Sequence, residues 1–267
     1  MNRAHTADVR AQFIAPTSDA PTSDAPTSDA PTSDAPTSDA PARDAGLLAA
    51  LQLGDSLFPS GGFTLSHGLE TLAERRLVTS ASALHDWIAG VGRWQVATSD
   101  GAAAAAVWDA GDDLAVVTEI DRYLLASKLA REPREASQRT GRQMLATLAS
   151  IAGGACARYR REVLAARAPG LQPVVLGLAG RQLGLGQRET VLLLLHLFAA
   201  GCLGAALRLV DVDDVEVQHV RLALAPTLAE AAGEALATPW QELHASAVQT
   251  ELACMLHERS TMRLFAS

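Results

Sequence analysis

Ser66, His67 and Glu70 stand within five residues of one another in FPSGGFTLSHGLE, residues 58–70. A hydroxyl, an imidazole and a carboxylate are the parts of an activated nucleophile, so the first chemistry to weigh is hydrolysis. The spacing argues against it. If GFTLSHGLETLAERR (62–76) is a helix, adjacent residues project about 100° apart, and Ser66 does not face His67. An α-helical hydrolase using Ser66, His67 and Glu70 remains the alternative reading, and it needs a pocket that converges on all three. A phosphate-binding loop fits worse, because Leu69 replaces the required lysine and no strand precedes. The structural reading is a bend: Pro59 stops one helix, Gly61 and Gly62 supply unusual backbone angles, and Gly68 permits close packing on the next helix. Glu70 is then free to cap or bridge.

Metal chemistry has little support. The seven histidines are scattered, without a His-x3-His or Cys-x-x-Cys pair. Cys254 and His257 stand three apart on one expected helix, which is half a site, and no complete ligand set emerges. The expectation is no metal site in the chain. Cys156, Cys202 and Cys254 lie far apart in apolar surroundings and read as reduced core thiols of a cytoplasmic protein.

The densest run of charge is SKLAREPREASQRTGRQMLATL (127–148), with Lys128, Arg131, Glu132, Arg134, Glu135, Arg139 and Arg142 around a helix start. Glu135 and Arg139 have the spacing of a surface ion pair. Arg134 falls on the side of Leu145, Leu148 and Ala152, which should be buried, so it needs an acid, a carbonyl cluster or a partner. Both an internal network and a docking surface satisfy it. The last residues, LHERSTMRLFAS, include Leu264 and Phe265 where chain ends are usually polar. Such a hook docks on its own bundle or on another protein.

The elements that must position these residues are helical. Hydrophobic residues make up 48% and aromatics only 4%, a bias toward helices packed on small side chains. Net charge is −8, with no basic block, so a nucleic-acid partner is not expected. Residues 16–40 are PTSDA repeats, and proline at every fifth position forbids a helix. Residues 1–45 are expected to be a disordered low-complexity tail, and 46–267 a single all-α bundle of about ten helices. Helices are expected over 46–57, 62–76, 82–111 with a break near Ser99-Asp100-Gly101, 113–130, one from Pro133, then 156–167, 172–184, 187–209, 213–236 and 239–260. Thr238-Pro239-Trp240-Gln241 reads as the start of the last. VDVDDVEV (210–217) is the only strand candidate. VLLLLHLFAAGCLGAALRLV (191–210) approaches membrane-span length, but its His196, glycines and Arg208 favour a buried core helix over a membrane helix.

GDSLFPSGGFTLSHGLE (54–70), the K-x3-E-x-R-x2-S-x3-G-R run from Lys128 to Arg142, PVVLGLAGRQLGL (173–185), AALRLV (205–210), Gln218 and HE-x4-RLFAS (257–267) together resemble the urease accessory protein UreF family. The resemblance implies an all-helical, non-enzymatic cytoplasmic chaperone of nickel insertion. It would dimerise, bind UreD (also called UreH), recruit the GTPase UreG and act on apo-urease. No cofactor is permanently bound, and nickel passes through the complex as cargo. His257, Glu258, Arg263, Leu264, Phe265, Lys128, Glu132, Arg134 and Arg142 become partner-binding candidates. A subordinate hypothesis, apart from the resemblance, has Lys128 or Arg142 reaching the GTPase site as an arginine-finger-like group. Pro59, Gly61, Gly62, Ser66, Gly68, Glu70, Gly141, Arg208 and Gln218 become the structural signature. Where the family commonly has a His-Tyr/Phe-Pro triplet, this chain has Leu171-Gln172-Pro173.

Overall fold

Helices account for most of residues 40–62, 65–260 and 264–265, which the computed structural model describes. The expected tail through residue 39 and the candidate Arg263 lie outside the described residues. The elements are α1 (Ala40–Gly54), α2 (Leu69–Glu74), α3 (Ala81–Val91), a π-helical segment (Gly92–Gly101), α4 (Ala102–Ala110), α5 (Leu114–Ser127) and α6 (Arg131–Ile151). They continue with α7 (Gly154–Leu164), α8 (Gln172–Gln182), α9 (Gln187–Leu209), α10 (Asp214–Ala237), a 3-10 turn (Trp240–Glu242) and α11 (Val248–His257). No strand occurs among the described residues. The all-α expectation holds, and VDVDDVEV instead leads into α10 through a capping box between Asp213 and Glu216.

Small residues set the packing, as the composition implies. Ala102, Ala103, Ala104 and Ala105 are all buried, and a Cβ on Gly177 of α8 would stand 2.6 Å from the Ala104 carbonyl oxygen. Only a glycine lets α8 lie this close to α4. Helix α9 is largely apolar through its middle, where it packs on α10, α8, α4, α2, α1 and the π segment. It is the one described helix long and apolar enough to cross a membrane, and 67% of its apolar window is buried inside the protein. That is the core-helix reading.

Five local features differ from expectation. Helical backbone begins at Ala40, ahead of Gly46. The break near Ser99-Asp100-Gly101 is absent. Instead the helix widens to a π ladder, in which the Ala102 N–H reaches the Ala97 carbonyl, five residues back. In the opening bend, Gly61 is left-handed at φ 72° but Gly62 is not. Helix α2 starts at Leu69 rather than 62, because His67 (φ 51°) and Gly68 (φ 85°) are both left-handed. Finally, Thr238-Pro239 ends α10 rather than opening the last helix. Residues 243–247 run as a strap over the π segment, with His244 N–H on the Thr98 carbonyl (3.2 Å) and Ser246 N–H on the Trp94 carbonyl (2.8 Å). The Thr98 hydroxyl donates back to the His244 carbonyl at 2.8 Å. These bonds across the chain hold the strap extended until Val248.

Candidate functional site

The N-terminus of α2 and the side of α11 meet at Gly68. A Cβ there would stand 3.1 Å from Cys254 Sγ and 3.2 Å from the Thr250 carbonyl oxygen, in a backbone conformation L-residues avoid. The close packing expected of this glycine is therefore present, at a helix N-cap rather than inside a helix. It brings Glu70 against His257. Their Oε2 and Nε2 atoms are 3.1 Å apart, and His257 Nδ1 is 2.7 Å from Glu132 Oε2. Both Glu70 and His257 are buried. Each ring nitrogen of His257 thus meets one carboxyl group, Nε2 that of Glu70 and Nδ1 that of Glu132.

The same carboxylate holds the C-terminal hook. Leu264 N–H donates to Glu70 Oε1 at 2.8 Å, and Phe265 N–H donates to Oε2 at 3.0 Å. Phe265 packs on the core, with the Arg208 guanidinium 6.0 Å from its ring centroid. Of the two homes open to the hook, the bundle itself is the one seen. Glu70 bridges, as its position allowed, to residues far along the chain and not to Ser66. Beside it, the Glu258 carboxylate accepts the Arg131 N–H at 2.7 Å and lies 3.4 Å from Arg131 Nε. Burial acts to raise the Glu258 pKa, but the N–H groups of Arg131 and Glu132 and the Arg131 guanidinium outweigh it and hold it below its ordinary value.

The charged run around α6 divides: Arg131, Glu135, Arg139 and Arg142 are exposed, while Lys128, Glu132 and Arg134 are partly covered. Lys128 Nζ is 2.6 Å from Asp100 Oδ1 on the π segment, and both side chains are largely covered. Arg134 takes the carbonyl solution: it donates to the Lys128 carbonyl at 3.2 Å, at the C-terminal end of α5. Glu135 pairs with Arg131 (3.9 Å), one turn behind it, rather than with Arg139. Arg142 Nε donates to the Pro169 carbonyl at 3.0 Å. Gly141 beneath it allows α6 to touch the Gly170-Leu171 backbone, which any Cβ would strike. Pro59, Arg208 and Gln218 are exposed.

A cavity of about 90 Å³ lies between these elements, lined by His67, Gln95, Asp100, Lys128, Phe198 and Cys254 among others. His67 stands edge-on to Phe198, centroids 5.0 Å apart, with one side open to the cavity. Enclosure pushes its pKa down to about 4, with Asp100 opposing and Lys128 reinforcing the shift. The sign of the consequence is fixed: the unfolded ring protonates near 6.5 and the folded ring near 4. Stability from a neutral His67 is therefore complete above pH 6.5 and lost as pH falls through 4, by up to about 3 kcal/mol. Denaturation followed from pH 7 to 4 is expected to show this slope in the unaltered chain and a flatter one in His67→Phe. Equal slopes refute the assignment.

The hydrolase reading does not survive this geometry. Ser66 is fully buried, His67 faces the cavity, and both Glu70 oxygens are occupied by His257 and the hook. The Cys254–His257 half-site separates too: His257 is held between carboxylates, and burial raises the Cys254 thiol to about 12, keeping it protonated. No metal-holding group of three or more His, Cys, Asp or Glu occurs among the described residues. The three cysteines are free and buried.

Sequence reasoning missed Asp121. It is wholly buried, and it accepts the Gly170 N–H at 2.6 Å, the Leu171 N–H at 3.2 Å and the Tyr159 hydroxyl. The departure triplet is held here: Leu171 caps α8, while Gln172 and Pro173 reach the cavity wall. The signal was available, since Asp121 interrupts the buried stripe of Val117, Ile120 and Leu124.

The sequence is similar to those of known proteins. The UreF family profile matches residues 78–225. The urease accessory protein UreF of Cereibacter sphaeroides is 33% identical over 222 residues, covering 83% of this chain and 98% of that protein. The urease accessory protein UreF 2 of Brucella canis is 33% identical over 223 residues, covering 82% and 91%. The protein of the same name from Brucella abortus aligns to the same extent.

Proposed function

The chain belongs to the UreF family of urease accessory proteins, and from that premise we propose that it is an assembly factor for loading nickel into apo-urease. Members of this family are accessory proteins, not enzymes. In this reading it works in the cytoplasm as a homodimer, binds UreD (UreH) and recruits UreG, and nickel is cargo of the complex. It acts by binding one nucleotide state of the GTPase better than the other, because equal affinity shifts nothing. A basic finger is not part of the proposal: Lys128 is held by Asp100, and Arg142 by the Pro169 carbonyl.

The observation that supports this reading is the outer face of α11. Its inner face is buried through Thr250, Ala253, Cys254 and His257. Val248, Leu252 and Leu256, spaced four apart, are nonetheless exposed by 66%, 53% and 41%, and Leu264 of the hook by 73%. A helix buried along one face and apolar along the exposed other fits a position between the bundle and a partner. The test is co-purification with UreD/UreH and UreG homologues. Full-length protein is expected to form the complex, while Leu252→Asp and a version ending at Arg259 stay helical and lose it. Undiminished complex formation by both altered forms overturns the proposal.

A further inference from the structure

We propose that the Glu70 carboxylate, backed by His257, is a receptor for a short extended peptide, and that the chain's own residues 264 and 265 fill it in cis. The recognition is of main chain. Two successive N–H groups fall on the two oxygens of one carboxylate, Leu264 on Oε1 at 2.8 Å and Phe265 on Oε2 at 3.0 Å. Side chains add one requirement only. Leu264 points outward, 73% exposed, and accepts substitution. Phe265 packs on the core beneath Arg208 and calls for an aromatic ring.

The site has a rear wall that its occupant does not supply. His257 holds Glu70 from behind at 3.1 Å and is itself held by Glu132 at 2.7 Å. Withdrawing the hook therefore leaves Glu70 still in contact with His257, not without a partner. Three elements build this rear wall: α2 supplies Glu70, α6 supplies Glu132 and α11 supplies His257. The ligand class follows: an extended segment with two consecutive free N–H groups and an aromatic second residue, with proline at neither position. A partner that grips the hook must first draw it off Glu70, which weakens its apparent affinity by the fraction of time the hook is free. A partner presenting such a segment of its own competes for the vacated carboxylate.

The inference goes beyond the assembly role and is tested without any accessory partner, so its failure leaves that role untouched. The full-length chain carrying Leu264→Pro and Phe265→Pro has no N–H to offer at either position, while the bundle is unaltered. A labelled synthetic peptide with the sequence of residues 260–267, STMRLFAS, is titrated against it by fluorescence anisotropy. The peptide is expected to bind the double variant about tenfold or more tighter than the unaltered chain, whose site is filled. N-methylation of the peptide's Leu and Phe amides is expected to weaken binding about tenfold or more, because it removes the donors and keeps the side chains. No binding to the double variant, equal binding to both chains, or indifference to N-methylation each overturns the proposal.

Discussion

Glu70→Ala is expected to lower the free energy of unfolding by about 4 kcal/mol and to release the hook. The substitution removes an anion that is 3% exposed, leaving His257 with one carboxylate and the Leu264 and Phe265 N–H groups with none. Breaking a buried pair by deleting one partner costs about 3–5 kcal/mol. The two N–H groups can recover water once the hook lifts, so they add little to the unfolding free energy but are read directly by hydrogen exchange. In the unaltered chain both amides are expected to be protected, and in the variant both exchange as freely as a frayed end. Glu70→Gln keeps an oxygen for one N–H and is expected to lose about half as much. His257→Ala combined with Glu70→Ala is expected to be less damaging than the sum of the two, because each removes the same contact. A Glu70→Ala chain within about 1 kcal/mol of the unaltered protein shows that the carboxylate does not hold this corner together.

How much of this corner was legible depends on the distance over which each bond acts. The helices were readable because apolar residues recur at helical spacing, and α9 was recognisable as a core helix from its interrupting glycines and Arg208. The SHGLE run stood out as chemistry, but its helix was placed too early. Leu65, Leu69 and Leu72 keep helical spacing across His67 and Gly68, which are both left-handed, and at Gly68 the backbone lies against Cys254 and Thr250. Thr238-Pro239 has the composition of a helix start, yet the strap is held by Trp94 and Thr98, far back in the chain. No local pattern contains that information. Arg134 lies between these cases: its need for a partner was evident, and the carbonyl that meets it, Lys128, is six residues away. The apolar hook was visible as needing a dock, but the address, Glu70, is 194 positions upstream.

The largest effect is expected at Asp121, which no motif marks. Its carboxylate is the acceptor for two backbone N–H groups and one hydroxyl, all buried, and it fixes the turn from Gly170 into α8. Asp121→Ala leaves all three donors unsatisfied at about 1–3 kcal/mol each, giving a loss of about 5 kcal/mol. Tyr159→Phe removes one donor together with the need for it and is expected to cost only about 1 kcal/mol. That contrast separates a carboxylate organising a turn from a tyrosine merely filling space. Burial raises the Asp121 pKa, against the lowering effects of Tyr159, Gly170, Leu171 and Arg142. A carboxyl that takes its proton more readily folded than unfolded makes the native state lose stability as pH rises from 3.8 through the raised value. Asp121→Asn has no proton to gain, so its stability is expected to lack that decline. The acid side therefore carries two opposed slopes, one from His67 falling on acidification and one from Asp121 rising, and the single variants resolve them. Because Gln172 and Pro173, just beyond the turn, form part of the cavity wall, loosening Asp121 is also expected to loosen His67. In Asp121→Ala the His67 ring is then expected to titrate above 4, and an unmoved NMR titration means that the turn and the cavity are independent.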